Sequence, residues 1–128
     1  VAVGYNAGVT MTTGASNTIV GGLAGDALTT GSDNVAIGAN ALSTEDTGGR
    51  NVAVGRGTLQ NQNVDSSAYN VAIGYEAGND ITTGVNNVIM GGLAGEYCYR
   101  SLGWCSNNIR YSKYFNRWIS GYCFNNRK

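Results

Sequence analysis

The 128-residue sequence contains no histidine and no proline. Without histidine there is no Ser-His-Asp triad, no Cys-His nucleophile pair and no imidazole ligand for a metal. Serines such as Ser16, Ser32, Ser43 and Ser67 therefore read as turn residues. Charge is also sparse, at 12 % of residues with a net charge of zero. No apolar run reaches the roughly 18 residues of a membrane-spanning helix, and the opening residues do not read as a signal peptide. Cysteine is confined to Cys98, Cys105 and Cys123, an odd number that fixes neither a disulfide framework nor a redox compartment.

The zero net charge hides two different materials. Residues 1–96 hold all eight acidic residues and only Arg50 and Arg56 among the basic ones, whereas residues 97–128 hold six basic residues and no acid. Eighteen of the 20 glycines precede this boundary, and all cysteines, both tryptophans and both phenylalanines follow it. A domain over 1–96 and a separate basic, aromatic tail over 97–128 are expected.

What fills the first part is a repeat. Asn34-Val35-Ala36-Ile37-Gly38 has close copies at Val1-Ala2-Val3-Gly4, Asn17 to Gly21, Asn51 to Gly55, Asn70 to Gly74 and Asn87 to Gly91. From Asn17 onward the asparagines lie 17, 17, 19 and 17 residues apart. A fixed period of this size marks an array of stacked units. Within each copy the residues alternate between Val1/Val3, Thr18/Val20, Val35/Ile37, Val52/Val54, Val71/Ile73 and Val88/Met90 on one face and Ala2, Ile19, Ala36, Ala53, Ala72 and Ile89 on the other. Two apolar faces fit a parallel sheet buried on both sides. The closing glycine permits a sharp bend, and the preceding Asn suits a turn.

A weaker signature follows at Ala7-Gly8, Ala24-Gly25, Ala41-Leu42, Thr58-Leu59, Ala77-Gly78 and Ala94-Gly95, and reads as a return strand. Thr12-Thr13-Gly14, Thr29-Thr30-Gly31 and Thr82-Thr83-Gly84 then mark the turn back. The fold expected is an all-β parallel β-roll or β-solenoid of about six coils of 17 residues. Residues 1–25 also match 71–95 at an offset of 70, which points to duplication of a four-coil block. The chain opens inside a repeat, so a piece of a longer protein is expected. Each narrow coil has apolar residues on both faces, and the outer one needs a partner, so self-association follows.

The Asn-Val-Ala-Ile-Gly strand with its x-x-A continuation resembles the head repeats of trimeric autotransporter adhesins and the shaft repeats of phage and other viral tail fibres, over residues 1–95. The resemblance implies a left-handed roll, three chains wound about one axis, and a place on a virion or an extracellular cell surface. It implies a structural role in host attachment, with a glycan or protein receptor as partner, no catalysis and no cofactor. The 17-residue unit is longer than the commonest adhesin head repeat, and the Thr-Thr-Gly turns and 70-residue block favour the viral fibre. The competing reading is a monomeric solenoid that binds a glycan, ice or another ligand through its threonine or loop face.

Candidate chemistry is thin. Asp26, Asp33, Glu45, Asp46, Asp65, Glu76 and Asp80 fall in bends and turns, where solvated carboxylates are expected rather than a glycosidase pair. Gly21-Gly22-Leu23-Ala24-Gly25-Asp26 lacks both the spacing and the nine-residue period of a calcium-binding roll, so a glycine bend is expected and no metal site. The threonine pairs line up once per coil but break at Asp46-Thr47 and Asp65-Ser66-Ser67, too irregular for an ice face. Gln60, Asn61, Gln62, Asn63 and Asp65 lie in the one unit lengthened by two residues, and this polar bulge on a rigid shaft is the candidate receptor contact.

In the tail, Arg110-Tyr111-Ser112-Lys113-Tyr114-Phe115-Asn116-Arg117-Trp118 interleaves basic and aromatic residues, a pattern that also suits nucleic acid. A cap over the open end of the roll is the stronger expectation, so neither nucleic-acid binding nor membrane insertion is expected. A disordered or out-of-frame tail is the remaining option, given the abrupt change of composition.

Overall fold

The computed structural model describes residues 1–95. It is a β-solenoid of about five turns with repeats of about 17 residues, all-β and without a helix among the described residues. Six strands, β1 (Ala2–Val3), β2 (Thr18–Val20), β3 (Val35–Ile37), β4 (Val52–Val54), β5 (Val71–Ile73) and β6 (Val88–Met90), form one sheet in chain order. Every neighbouring pair is parallel, and the register places Ala36 beside Ile19 and Ala53, and Ala72 beside Ala53 and Ile89. The 17-residue period of the sequence is thus the register of the sheet, and the 19-residue step is absorbed outside it. The expectations for the tail, including Cys98, Cys105 and Cys123, lie outside the described residues.

The two strand faces differ in burial. Ile19, Ala36, Ala53 and Ala72 are fully buried and Ile89 nearly so, and they join Ala24, Leu28, Ala41, Leu42, Leu59 and Ala77 in one core. The opposite face is not buried within the chain: Ile37, Ile73, Val88 and Met90 are 37 %, 38 %, 41 % and 48 % exposed. The expectation of burial on both sides is therefore corrected for a single chain. A roll this narrow has one interior, and only the middle residue of each three-residue strand points into it.

The expected return strands are also corrected. Ala7-Gly8 and its equivalents are turns, although single backbone bonds still tie them coil to coil: Gly8 N–H donates to Ala24 O at 3.0 Å, Gly25 N–H to Ala41 O at 2.9 Å and Leu42 N–H to Thr58 O at 2.9 Å. The reason is backbone curvature. Each coil turns back within a few residues by placing left-handed residues at alternate positions, as at Asn40 (φ 57°) and Leu42 (φ 54°), and this prevents an extended strand.

The strand-closing glycines do more than bend. Gly21, Gly38 and Gly55 have φ of 137°, 131° and 132°, a region closed to other L-residues, and they stack directly on one another. A Cβ built on Gly38 would stand 2.5 Å from the carbonyl carbon and oxygen of Gly55. By contrast the left-handed positions near φ 55° hold Asn, Leu, Glu, Arg and Tyr in different coils. This is why glycine recurs at the first position without exception and elsewhere does not.

Candidate functional site

Three features of the solenoid bear on function: a buried polar column, the outward sheet face, and the turn edge beside it.

The column is built by the repeated asparagines. Their side chains are buried rather than set in turns for turn geometry alone. Oδ1 of Asn17 accepts the backbone N–H of Asn34 (2.9 Å), Asn34 that of Asn51 (3.0 Å), Asn51 that of Asn70 (3.2 Å) and Asn70 that of Asn87 (2.8 Å). Nδ2 of Asn17, Asn34 and Asn70 donates across the coil to the carbonyls of Gly31 (2.8 Å), Gly48 (3.0 Å) and Gly84 (2.7 Å). The amides of Asn17, Asn34 and Asn70 thus each tie one strand to the next and close their own turn, whereas Nδ2 of Asn51 and Asn87 donates to the preceding asparagine's Oδ1 at 3.2 and 3.0 Å. Only a side chain with both a donor and an acceptor can do both.

Glu45 departs from expectation. It is fully buried, not solvated, and accepts from Gly48 N–H (2.8 Å), from the side chain of Gln62 (2.8 Å) and from Val64 N–H (3.2 and 3.3 Å). Gln62 in turn accepts from Nδ2 of Asn70 at 2.7 Å, which joins this pair to the asparagine column. A Cβ on Gly48 would lie 2.5 Å from Glu45 Oε1, so the glycine makes room for the carboxylate. Asp26 likewise keeps one carboxylate oxygen out of solvent, with Oδ1 buried and unpartnered. Asp33, Asp65 and Asp80 are exposed.

The candidate receptor residues divide on this basis. Gln62 is fully buried in the core network, so it is removed from the surface set. Its spacing of 17 from Glu45 was the available signal. Asn61, Asn63 and Asp65 are exposed and Gln60 half-buried. Asn61 donates to Asn79 Oδ1 at 3.1 Å, and Gln60 accepts from Asn79 at 3.2 Å.

The threonines face a similar demand. The hydroxyls of Thr12 and Thr29 donate to the backbone carbonyls of Thr29 (3.1 Å) and Asp46 (3.0 Å) in the next coil. They are spent on holding coils together rather than on presenting a regular outer face. Among the described residues, no three acidic or thiol side chains converge in a way that could hold a metal ion. No helix among them is long and apolar enough to cross a membrane.

The outward face consists of Val1/Val3, Thr18/Val20, Val35/Ile37, Val52/Val54, Val71/Ile73 and Val88/Met90, with no charge on it. Its flanks carry the only arginines of the described residues. On one side Arg50 lies over the Tyr69 ring (5.5 Å), donates to Ser67 Oγ at 2.6 Å and stands 3.9 Å from Asp33. On the other, Arg56 lies over Tyr75 (5.6 Å) and pairs with Glu76 at 3.2 Å. The Glu76 carboxylate, as hydrogen-bond acceptor, holds the Tyr75 phenol above its ordinary value, with desolvation and the acid's charge adding and Arg56 opposing.

Beside the first pair the turns of coils two to four enclose an open groove of about 230 Å³. Thr30, Asp33, Thr47, Arg50, Ser66 and Ser67 contribute to its walls.

No protein-family model, curated protein or solved structure matches the chain.

Proposed function

We propose that residues 1–95 are a structural segment of a fibrous attachment protein, a viral tail fibre or a surface adhesin, that associates side by side with two further copies of itself. The observation that carries this reading is the outward sheet face. It has six strands, twelve outward positions, eleven apolar residues and one threonine, and several of its side chains are more than a third exposed. Contiguous apolar surface of this kind marks an interaction site. Its side chains repeat at the coil spacing of about 4.8 Å. A second solenoid of the same rise meets that spacing coil for coil, which makes another copy of this chain the fitting partner. The number three comes from the resemblance to adhesin heads and fibre shafts. Placement on a virion or outside a cell comes from the same source, as does a host-surface receptor. No reaction is part of this proposal.

Light scattering on the intact chain in reducing buffer tests it, and the expected mass is three times that of one chain. Ile37→Lys together with Ile73→Lys is expected to give a folded monomer with an unchanged β circular-dichroism spectrum. A wild-type monomer overturns the proposal.

A further inference from the structure

We infer that the groove at the turn edge binds a neutral sugar ring, which would give the proposed attachment surface its ligand class; the inference rests on that reading for its biological setting only. The groove arises where coil four is two residues longer than its neighbours. In the regular coils the residue before Asn ties back one coil, Asp33 N–H to Ala15 O and Arg50 N–H to Ser32 O, both at 3.0 Å. In the longer coil the bond moves by one residue, Ala68 N–H to Gly49 O at 3.0 Å, and Asn86 N–H to Ala68 O at 2.7 Å restores the pattern. Tyr69 lies exposed under Arg50, and Ser66 and Ser67 line the groove together with Thr47 and Gly49. Glu45, from inside, holds Val64 of the same longer turn by its backbone N–H. The wall is therefore fixed to the core.

The chemistry of the walls selects the ligand. Hydroxyls of Thr30, Ser32, Thr47, Ser66 and Ser67, one carboxylate and one guanidinium line the space, and no aliphatic or aromatic side chain does. Such a surface offers nothing to a lipid tail or to the apolar anchors of a peptide. Asp33 Oδ2 lies 3.9 Å from Arg50 Nε, both side chains are about half exposed (53 % and 50 %), and the opposite charges cancel, which disfavours a polyanion. Adjacent hydroxyls on a pyranose each donate and accept. An acceptor-only carboxylate beside a donor-only guanidinium is the complement of two such neighbours. A volume near 230 Å³ accommodates one ring rather than a buried chain.

The experiment is a two-dimensional amide NMR titration of the intact chain with glucose, galactose and mannose, and with N-acetylneuraminic acid as the anionic comparison. At least one neutral hexose is expected to shift the amides of 30–33, 47–50 and 66–67, with the weak, millimolar affinity usual for a single small ligand. Asp33→Asn and, independently, Thr47→Val are expected to raise the apparent Kd at least tenfold while leaving the rest of the spectrum in place. Absence of localised shifts with every neutral hexose overturns the inference, as does a stronger response to the anionic sugar or an unchanged affinity in both variants. The same samples report mass. A trimer without sugar shifts sinks this inference alone, and a monomer with them sinks the assembly alone.

Discussion

Gln62 lies one coil beyond Glu45 and donates its side-chain nitrogen to Oε2 of that carboxylate at 2.8 Å, with both side chains fully buried. At the equivalent position other coils carry Met11, Leu28 or Ile81, opposite a glycine three residues earlier. Coils three and four invert the arrangement, with Leu42 and Leu59 supplying the bulk and Glu45 and Gln62 the polarity. Removing the carboxylate by Glu45→Ala leaves three donors without an acceptor, from Gly48, Gln62 and Val64. At about 1–3 kcal/mol for each of the three unsatisfied groups, a loss of at least about 3 kcal/mol is expected by denaturant unfolding. Gln62→Leu should couple to it by about 0.5–3 kcal/mol in a double-mutant cycle. Simple additivity would show that the pair acts independently.

The asparagine column makes a second prediction. Asn34→Ala orphans the backbone N–H of Asn51 and the carbonyl of Gly48, and roughly 2–4 kcal/mol of stability should be lost. Asn34→Asp keeps the acceptor but sets a buried carboxylate against the Gly48 carbonyl, so it should be less stable than wild type. An aspartate variant as stable as wild type would show that the bond to Gly48 contributes nothing.

The glycine stack predicts a contrast between neighbouring positions. Gly38→Ala forces a Cβ to within 2.5 Å of the Gly55 carbonyl at a φ of 131°, and should destabilise by at least about 3 kcal/mol. Asn40→Gly, at φ 57°, relieves a left-handed residue and should change stability by less than about 1 kcal/mol. Thermal unfolding of both variants checks the difference.

Tyr75 supplies a pH-dependent prediction. Its ionisation is pushed upward chiefly by the hydrogen bond to Glu76, so the stabilisation belongs to the neutral phenol. It is complete below the ordinary tyrosine value and is lost as pH rises through the raised one. In Glu76→Gln the Tyr75 ring-carbon NMR titration should move to lower pH. A midpoint that stays where it was would assign the shift to another cause.

How far these features were legible in the sequence depends on whether a period or a contact carries them. The six strands and their register follow from the spacing of Asn17, Asn34, Asn51, Asn70 and Asn87, because in a stacked array the sequence period and the spatial register are one quantity. The apolar alternation identified the outward residues too, but it could not say which face the roll encloses. Glu45 and Gln62 look like surface groups in the sequence because a buried carboxylate is signalled by its donors, and two of those are backbone groups that only the fold brings near. The groove was invisible for a related reason. Thr30, Thr47 and Ser66 come from three coils, and no motif in the sequence marks the one-residue shift in hydrogen bonding at Ala68 beside them.

The parallel pairing of β1 to β6 has a mechanical consequence. Strands run across the long axis, so the hydrogen bonds between coils lie along it, and a pull on the two ends loads them in series. Rupture should then proceed coil by coil from a terminus. Each step frees 17 residues, about 58 Å of contour at about 3.4 Å per residue, and the step at the 19-residue coil is about 7 Å longer. Such a rod yields under tension by paying out chain in small, nearly equal lengths, a shock absorber rather than a brittle strut.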